Sequence, residues 1–109
     1  MAVIEFRASW CAACEQTMPS LDALFQDKKA EGVMVIGVSL DETRDRAIAM
    51  SHRLGTTFPI VLDPRQRIAS LYAVGKIPLT FVVDQKGTVR WIGRDPGDAR
   101  RAVDAVLGE

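Results

Sequence analysis

The chain has 109 residues, 48% of them hydrophobic and 26% charged, the proportions of an ordinary globular protein rather than a disordered or repetitive one. Fourteen Lys and Arg offset fourteen Asp and Glu, for a formal net charge of zero. That balance excludes the basic footprint of a nucleic-acid binder or of a protein drawn to an anionic membrane, and the length suits one domain over residues 1–109.

No stretch approaches the roughly eighteen apolar residues of a membrane span, and Glu5 and Arg7 interrupt the N-terminus too early for a signal peptide. The sequence opens already inside a strand, a start compatible with an export signal and leading strands lying outside it, so the compartment is not directly legible. Met1 to Phe6 is a short β-branched and aromatic run. From Cys11 onward apolar residues recur at helical spacing, at Met18, Leu21, Leu24 and Phe25, so the chain passes from strand to helix at Trp10-Cys11. This helix is expected over about 11–30, kinked at Pro19, where a hydrogen bond is lost and the ring meets the preceding turn. Gly32 stops it.

Residues 33–40 form a near-continuous apolar run, the pattern of a parallel strand covered on both faces. Strand, helix and strand make a right-handed βαβ unit, which puts Cys11 at the carboxyl end of the first strand, where open α/β sheets keep their sites. Asp41 or Thr43 is expected to cap a second helix through about Leu54, with Gly55 as its stop. Residues 58–62 read as a short extended segment. Asp63-Pro64 begins a helical stretch to about Tyr72, with Ile68, Leu71 and Tyr72 facing inward and Gly75 at its end. An antiparallel hairpin follows, with strands at 79–83 and 88–93 around the turn Asp84-Gln85-Lys86-Gly87. Asp95-Pro96 leads into a last helix that turns Ala99, Ala102, Val103, Val106 and Leu107 towards the sheet. The sum is an α/β fold: a four-stranded mixed sheet in the order 2-1-3-4, with helices on both faces.

The two cysteines carry the chemistry. Residues three apart on a helix share a face, so Cys11 and Cys14 can reach bonding distance. The free N–H groups and positive dipole end of a first helical turn favour a thiolate, the form a nucleophilic cysteine needs. Cys11 is the expected nucleophile and Cys14, one turn deeper, the resolving thiol. A purely structural bridge is poorly served by so short a loop, which removes little entropy from the unfolded chain. Structural zinc takes four ligands, and beside the two cysteines the chain offers only His52. Dithiol redox chemistry, with neither metal nor cofactor, is the expectation.

Trp10-Cys11-Ala12-Ala13-Cys14, Pro19 five residues later, and Gly75-Lys76-Ile77-Pro78-Leu79-Thr80-Phe81 together resemble the thioredoxin superfamily. The stretch from Val33 to Tyr72 is similar to the central insertion of its TlpA/ResA branch, which includes the cytochrome c maturation thioredoxins. The resemblance covers nearly the whole chain. It implies a thioredoxin-like fold, a cis peptide before Pro78 lying against the disulfide, and substrate pairing by the backbone of Ile77. It also implies a membrane thiol-disulfide carrier as electron donor, client proteins with disulfides, and a periplasmic setting, with a monomer expected. Two features depart from the branch: its leading strands are absent, and Thr17 stands where many members carry a glutamate.

Glu5 matches the buried acid of thioredoxin, six residues before the first cysteine, and by that resemblance takes a proton from Cys14. Strand alternation alone places Glu5 with Val3 and Arg7 and leaves open whether that face points inward. Trp10 is expected beside the sulfurs as an apolar contact for substrate. Arg7 is read as a snorkelling surface residue, His52 and Lys76 as solvated, and Glu15 as a charge that mildly opposes the thiolate. The Ala12-Ala13 spacer carries no polar group to stabilise the thiolate strongly, which predicts a reducing poise. The leading reading is a thiol-disulfide oxidoreductase reducing protein disulfides in cytochrome c maturation or envelope redox homeostasis. A peroxiredoxin-like peroxide reductase is a rival, although Ile4 and Ala8 stand where its Pro-x-x-x-Thr-x-x-Cys frame needs proline and threonine. A thioredoxin-like copper-delivery module is another, weakened by the central position of the one histidine.

Overall fold

The structure, a computed structural model, describes residues 1–109. Its centre is β1 (Ala2–Arg7), flanked on one side by the parallel β2 (Met34–Ser39) and on the other by the antiparallel β4 (Leu79–Val83). β5 (Val89–Gly93) continues the sheet through the hairpin, where Gly87 adopts φ +82°, a conformation that favours glycine. On the far side β3 (Ile60–Leu62) adds to β2 in parallel, pairing Gly37, Val38 and Ser39 with Ile60, Val61 and Leu62.

The sheet therefore has five strands, in the order β3-β2-β1-β4-β5, and not the four expected. Residues 58–62 were legible as extended but not as paired. A three-residue strand after Pro59 has no periodicity of its own, and only its hydrogen bonds with β2 make it sheet, including Gly37 N–H to the Pro59 carbonyl at 2.9 Å and Asp63 N–H to that of Ser39 at 2.7 Å.

Four helices cover the sheet: α1 (Ala12–Lys28), α2 (Arg44–Leu54), α3 (Arg67–Leu71) and α4 (Pro96–Leu107). One apolar cluster joins Val3, Val35 and Val82 of the sheet to Met18 and Leu21 of α1, Met50 of α2 and Val103 of α4. The other face holds a smaller cluster of Phe6, Val38, Ala69 and Phe81, with Tyr72 stacked edge-on against Phe81. Helices on both faces, as expected, follow from a first strand that is buried on each side.

The helix ends obey local rules with two exceptions. Thr43 caps α2 by accepting from Arg46 N–H, Gly55 closes it in the left-handed conformation, and Asp95 caps α4. α1 continues through Pro19 and tightens into a short 3-10 turn over Lys29–Glu31 before Gly32. α3 is shorter than expected, because Gln66 sits at φ +55° and the Asp63 carboxylate takes the N–H groups of Arg67, Ile68 and Ala69. It also ends at Leu71, before Gly75, with Tyr72 as its C-cap and Ala73 beyond it at φ +54°. Leu71, expected inside, is 85% exposed. At about 100° per residue it falls roughly 110° from the direction shared by Ile68, Ala69 and Tyr72.

Two leucines test this arrangement. Leu21→Ala, in the fully buried stripe of α1, should cost about 2–5 kcal/mol of unfolding free energy. Leu71→Ala should stay within about 0.5 kcal/mol, as expected of a surface site. Urea denaturation of the oxidised protein measures both.

Candidate active site

The site begins where β1 ends. Ala8 is buried, Cys11 N–H bonds back to the Ala8 carbonyl at 3.2 Å, and the chain turns into α1. Ser9 fixes that corner: its N–H lies 3.0 and 3.1 Å from the two carboxylate oxygens of Asp41, and its hydroxyl donates to the same group at 2.6 Å. Ser39 donates to Asp41 from the end of β2 at 2.7 Å. Asp41 is therefore not the helix cap weighed from sequence, a role that falls to Thr43. It is a buried clamp between the carboxyl ends of two parallel strands.

Cys11 is the N-cap of α1, and its sulfur accepts the N–H of Cys14 at 3.2 Å. The two cysteines form a disulfide with their Cα atoms 5.3 Å apart. Cys11 is half-buried and Cys14 fully buried, the asymmetry a nucleophile and a resolving thiol require. A free first-turn N–H such as that of Cys14, together with the positive end of the helix dipole, favours a thiolate over a thiol at Cys11.

Next to the cysteine helix lies an acid. Glu5 is fully buried, directly opposite Gly37 on β2 and Thr80 on β4, and it shares its face of β1 with the fully buried Val3 and Arg7. Burial raises the pKa of Glu5 from 4.5 to about 7, against the opposing influence of the Thr17 hydroxyl and the positive charge of Arg7. Thr17 Oγ lies 2.7 Å from the Glu5 carboxylate and 3.0 Å from the Cys14 carbonyl. It has one hydrogen for two acceptors. When Glu5 is charged, Thr17 donates to it; when Glu5 is protonated, Glu5 can donate to Thr17 and free that hydrogen for Cys14. The residue that departs from the branch pattern thus joins the acid to the cysteine helix.

Arg7 is also fully buried, which overturns its reading as a snorkelling surface residue. β1 has neighbours on both edges and layers on both faces, so its side chains have no path to solvent. The guanidinium occupies the space left by Gly37, where a Cβ would come within 3.1 Å of Nη1. It makes no hydrogen bond within the chain, and burial lowers its pKa despite the nearby Glu5 and Asp41.

The Ile77-Pro78 peptide is cis. Ile77 packs against both apolar clusters, one of which also receives Cys11 and contains Cys14. The N–H and C=O of Ile77 lie ahead of β4 and take part in none of the turn and loop hydrogen bonds. Pro78 is buried, whereas Trp10 stands 66% exposed beside Cys11. Glu15 is paired with Arg53 of α2, and Lys76 and His52 are both exposed. No three His, Cys, Asp or Glu side chains are grouped to hold a metal ion.

The AhpC/TSA family model matches residues 1–92. The chain belongs to the AhpC/TSA family. This AhpC/TSA chain is 35% identical over 89 residues to the thiol-disulfide oxidoreductase ResA of Geobacillus kaustophilus, a match covering 82% of the chain and 51% of ResA. It is 34% identical over 86 residues to ResA of Bacillus anthracis, covering 79% and 50%. It thus spans about half the length of these curated relatives. Among solved structures, one described as a DsbE thiol:disulfide interchange protein from Chlorobium tepidum superposes with a TM-score of 0.90 at 29% identity, covering 98% of this chain and 79% of that one. The thioredoxin-like α/β fold and the kinship with ResA expected from the sequence are both borne out, with the fifth strand as the correction to the sheet.

Sequence reasoning missed Arg7 as a buried group, Asp41 as a clamp and Thr17 as a link to the acid. The one available signal was Ser39-x-Asp41 at the carboxyl end of the second strand, beside the end of the first.

The raised pKa of Glu5 has a consequence for stability. Between pH 4.5 and about 7 the folded protein holds a proton that the unfolded chain has released. That stabilisation is complete below pH 4.5 and is lost as pH rises through 7, on the order of 3 kcal/mol in all. Glu5→Gln removes the titration. Urea denaturation of the oxidised proteins should show the variant gaining on the wild type between pH 5 and pH 8; a constant difference would mean that Glu5 keeps an ordinary pKa.

Proposed function

We propose that this chain, working as one domain over residues 1–109, is a thiol-disulfide oxidoreductase that reduces disulfides in client proteins. The observation that carries the reading is the half-buried sulfur of Cys11 at the N-cap of α1, bridged to a buried Cys14, with a buried acid of pKa about 7 next to the cysteine helix. The names of its relatives, thiol-disulfide oxidoreductases and an interchange protein, support the same reaction.

The Cys11 thiolate attacks one sulfur of a client disulfide, forming a mixed disulfide and releasing a client thiolate. Cys14 then loses its proton to Glu5 and attacks the Cys11 sulfur. This closes the Cys11–Cys14 bridge and expels the second client thiolate. Two electrons have passed to the client, and a dithiol donor must restore the pair. Glu5 suits the transfer because its pKa lies near working pH, where it can accept and return a proton. Trp10 offers an exposed apolar contact, Pro78 shapes the facing turn, and the free N–H and C=O of Ile77 suit an extended client backbone.

A membrane thiol-disulfide carrier is the proposed donor, and a periplasmic or other extracytoplasmic site the proposed setting, with cytochrome c maturation or envelope redox homeostasis as the role of a monomer. The TlpA/ResA resemblance of the sequence motivates the donor, the setting and the role, while the name of the relative ResA speaks to the reaction alone. No helix of the chain is long and apolar enough to cross a membrane.

Cys14→Ser should accumulate clients as mixed disulfides on Cys11, detected by non-reducing electrophoresis and mass spectrometry, and Cys11→Ser should trap none. An empty Cys14→Ser trap would count against exchange. Equilibration of the wild type with glutathione should give a reducing potential, nearer to thioredoxin at about −270 mV than to a strong oxidant at about −120 mV. For Glu5→Gln, release of the mixed disulfide should slow by roughly 10²-fold or more at pH 7, the size of a lost general base, with formation of the adduct little changed.

A further inference from the structure

Arg7 is the largest fully buried side chain of the molecule, and the exchange reaction as described makes no use of it. A guanidinium keeps its charge and carries five N–H donors, so an arginine sealed in a core is ordinarily held by carboxylates or carbonyls. Here none of its three nitrogens has a partner within the chain. An apolar residue of similar volume would fill the same space without burying a charge, and the fold would be no less stable for it. Packing alone therefore does not account for an arginine at this position.

The register of the sheet shows what the guanidinium faces. Glu5 stands directly opposite Gly37 of β2, and Arg7, two residues further along β1, lies on the same face. Its side chain folds back along that face, with Nη1 3.1 Å from the point where a Cβ on Gly37 would be. Paired strands lie about 4.8 Å apart, so the charged head rests over the immediate neighbour of Glu5, in room that only a glycine leaves. The other elements around Glu5 bring it no charge: α1 contributes the Thr17 hydroxyl and, once the bridge is reduced, the Cys14 thiol, and β4 contributes Thr80. α2 and α4 add the apolar Met50 and Val103 to the same core. Asp41 acts on the guanidinium from the end of β2, where Ser9 and Ser39 already hold its carboxylate.

We propose that Arg7 is a positioning residue for the resolving step, a fixed counter-ion over Gly37 whose charge lets Glu5 exist as a carboxylate inside the core, a role that rests on Glu5 being the acceptor of the Cys14 proton. No hydrogen bond ties the guanidinium to Glu5, so it acts through its field alone. A direct ion pair would hold the carboxylate ionised and make it a poor base, whereas an apolar neighbour would leave it protonated and unable to accept. Desolvation and the field of Arg7 oppose one another, and with the Thr17 hydrogen bond they leave the acid at about 7.

NMR of the full oxidised chain, labelled with ¹³C and ¹⁵N, reads this coupling without any client. In the wild type the Arg7 Nε resonance should shift with pH at the same midpoint as the Glu5 carboxyl carbon, and in Glu5→Gln it should stay flat. Arg7→Met keeps the length and removes the charge, and should raise the Glu5 midpoint by about one pH unit or more; Arg7→Lys should bring it most of the way back. A wild-type Arg7 resonance that ignores the Glu5 titration would overturn the assignment, and that measurement needs no Arg7 variant to fold. An unmoved midpoint in Arg7→Met would overturn it as well. Kinetics then link the charge to the reaction. With a disulfide-bonded peptide captured on Cys11, release from Arg7→Met should be about fivefold slower at pH 7 and recover by pH 9, with formation of the adduct unchanged. A shifted midpoint with an unaltered release profile would support the counter-ion and overturn Glu5 as the acceptor, so the two failures are told apart.

Discussion

The buried carboxylate of Asp41 decides where the reactive helix starts. It gathers one N–H and two hydroxyls from the carboxyl ends of β1 and β2, and Leu40 N–H adds a bond to the Arg7 carbonyl at 2.8 Å. Two parallel strands are thus tied together at the point where the first turns into α1. The chain between Ser9 and Cys11 has little freedom left, and Cys11 is delivered to the N-cap, with its sulfur facing the Cys14 N–H. A free loop would have to lose that conformational entropy before its cysteines could react.

The same row of the sheet carries charge that a core does not ordinarily tolerate. Glu5 and Arg7 are both fully buried, and neither the second carboxylate oxygen of Glu5 nor any guanidinium nitrogen of Arg7 finds a partner in the chain. Two buried groups of opposite sign seldom stabilise a fold relative to apolar residues of similar volume. For Glu5 the balance of effects is visible: desolvation outweighs both the hydrogen bond from Thr17 and the attraction of Arg7. The result is an acid that changes charge near neutral pH, joined through Thr17 to the helix that carries Cys14. Stability given up at high pH and the proton transfer proposed at Cys14 have one physical source.

The helix layer on the face of Glu5 joins the two ends of the molecule. Glu15, beside Cys14, pairs with Arg53 of α2, and Asp22 of α1 accepts the N–H of Thr57 at 2.7 Å. The ion pair offsets the repulsion that Glu15 alone would exert on a Cys11 thiolate. It is largely exposed, so its worth is geometric more than energetic. α2 packs on α1 through Met50 in the shared apolar cluster, with the Glu15–Arg53 pair at the rim, while its other flank borders a cavity beside β3.

The sequence alone determined whatever local chemistry controls: the strand-to-helix passage at Cys11, the reactive spacing of the cysteines, the hairpin at Gly87, and the stop of α2 at Gly55. Each depends on residues within a few positions of one another. The resemblance added the turn at Pro78 and the TlpA/ResA kinship. Three things were decided only by tertiary structure. Residues 60–62 became a fifth strand because β2 had an open edge to offer. The face of β1 bearing Glu5 and Arg7 turned inward because α1, α2 and α4 pack over it, a choice that alternation leaves symmetric. Asp41, Ser9 and Ser39 converged because parallel pairing brings the ends of β1 and β2 together, although more than thirty residues separate Ser9 from Asp41 in the chain.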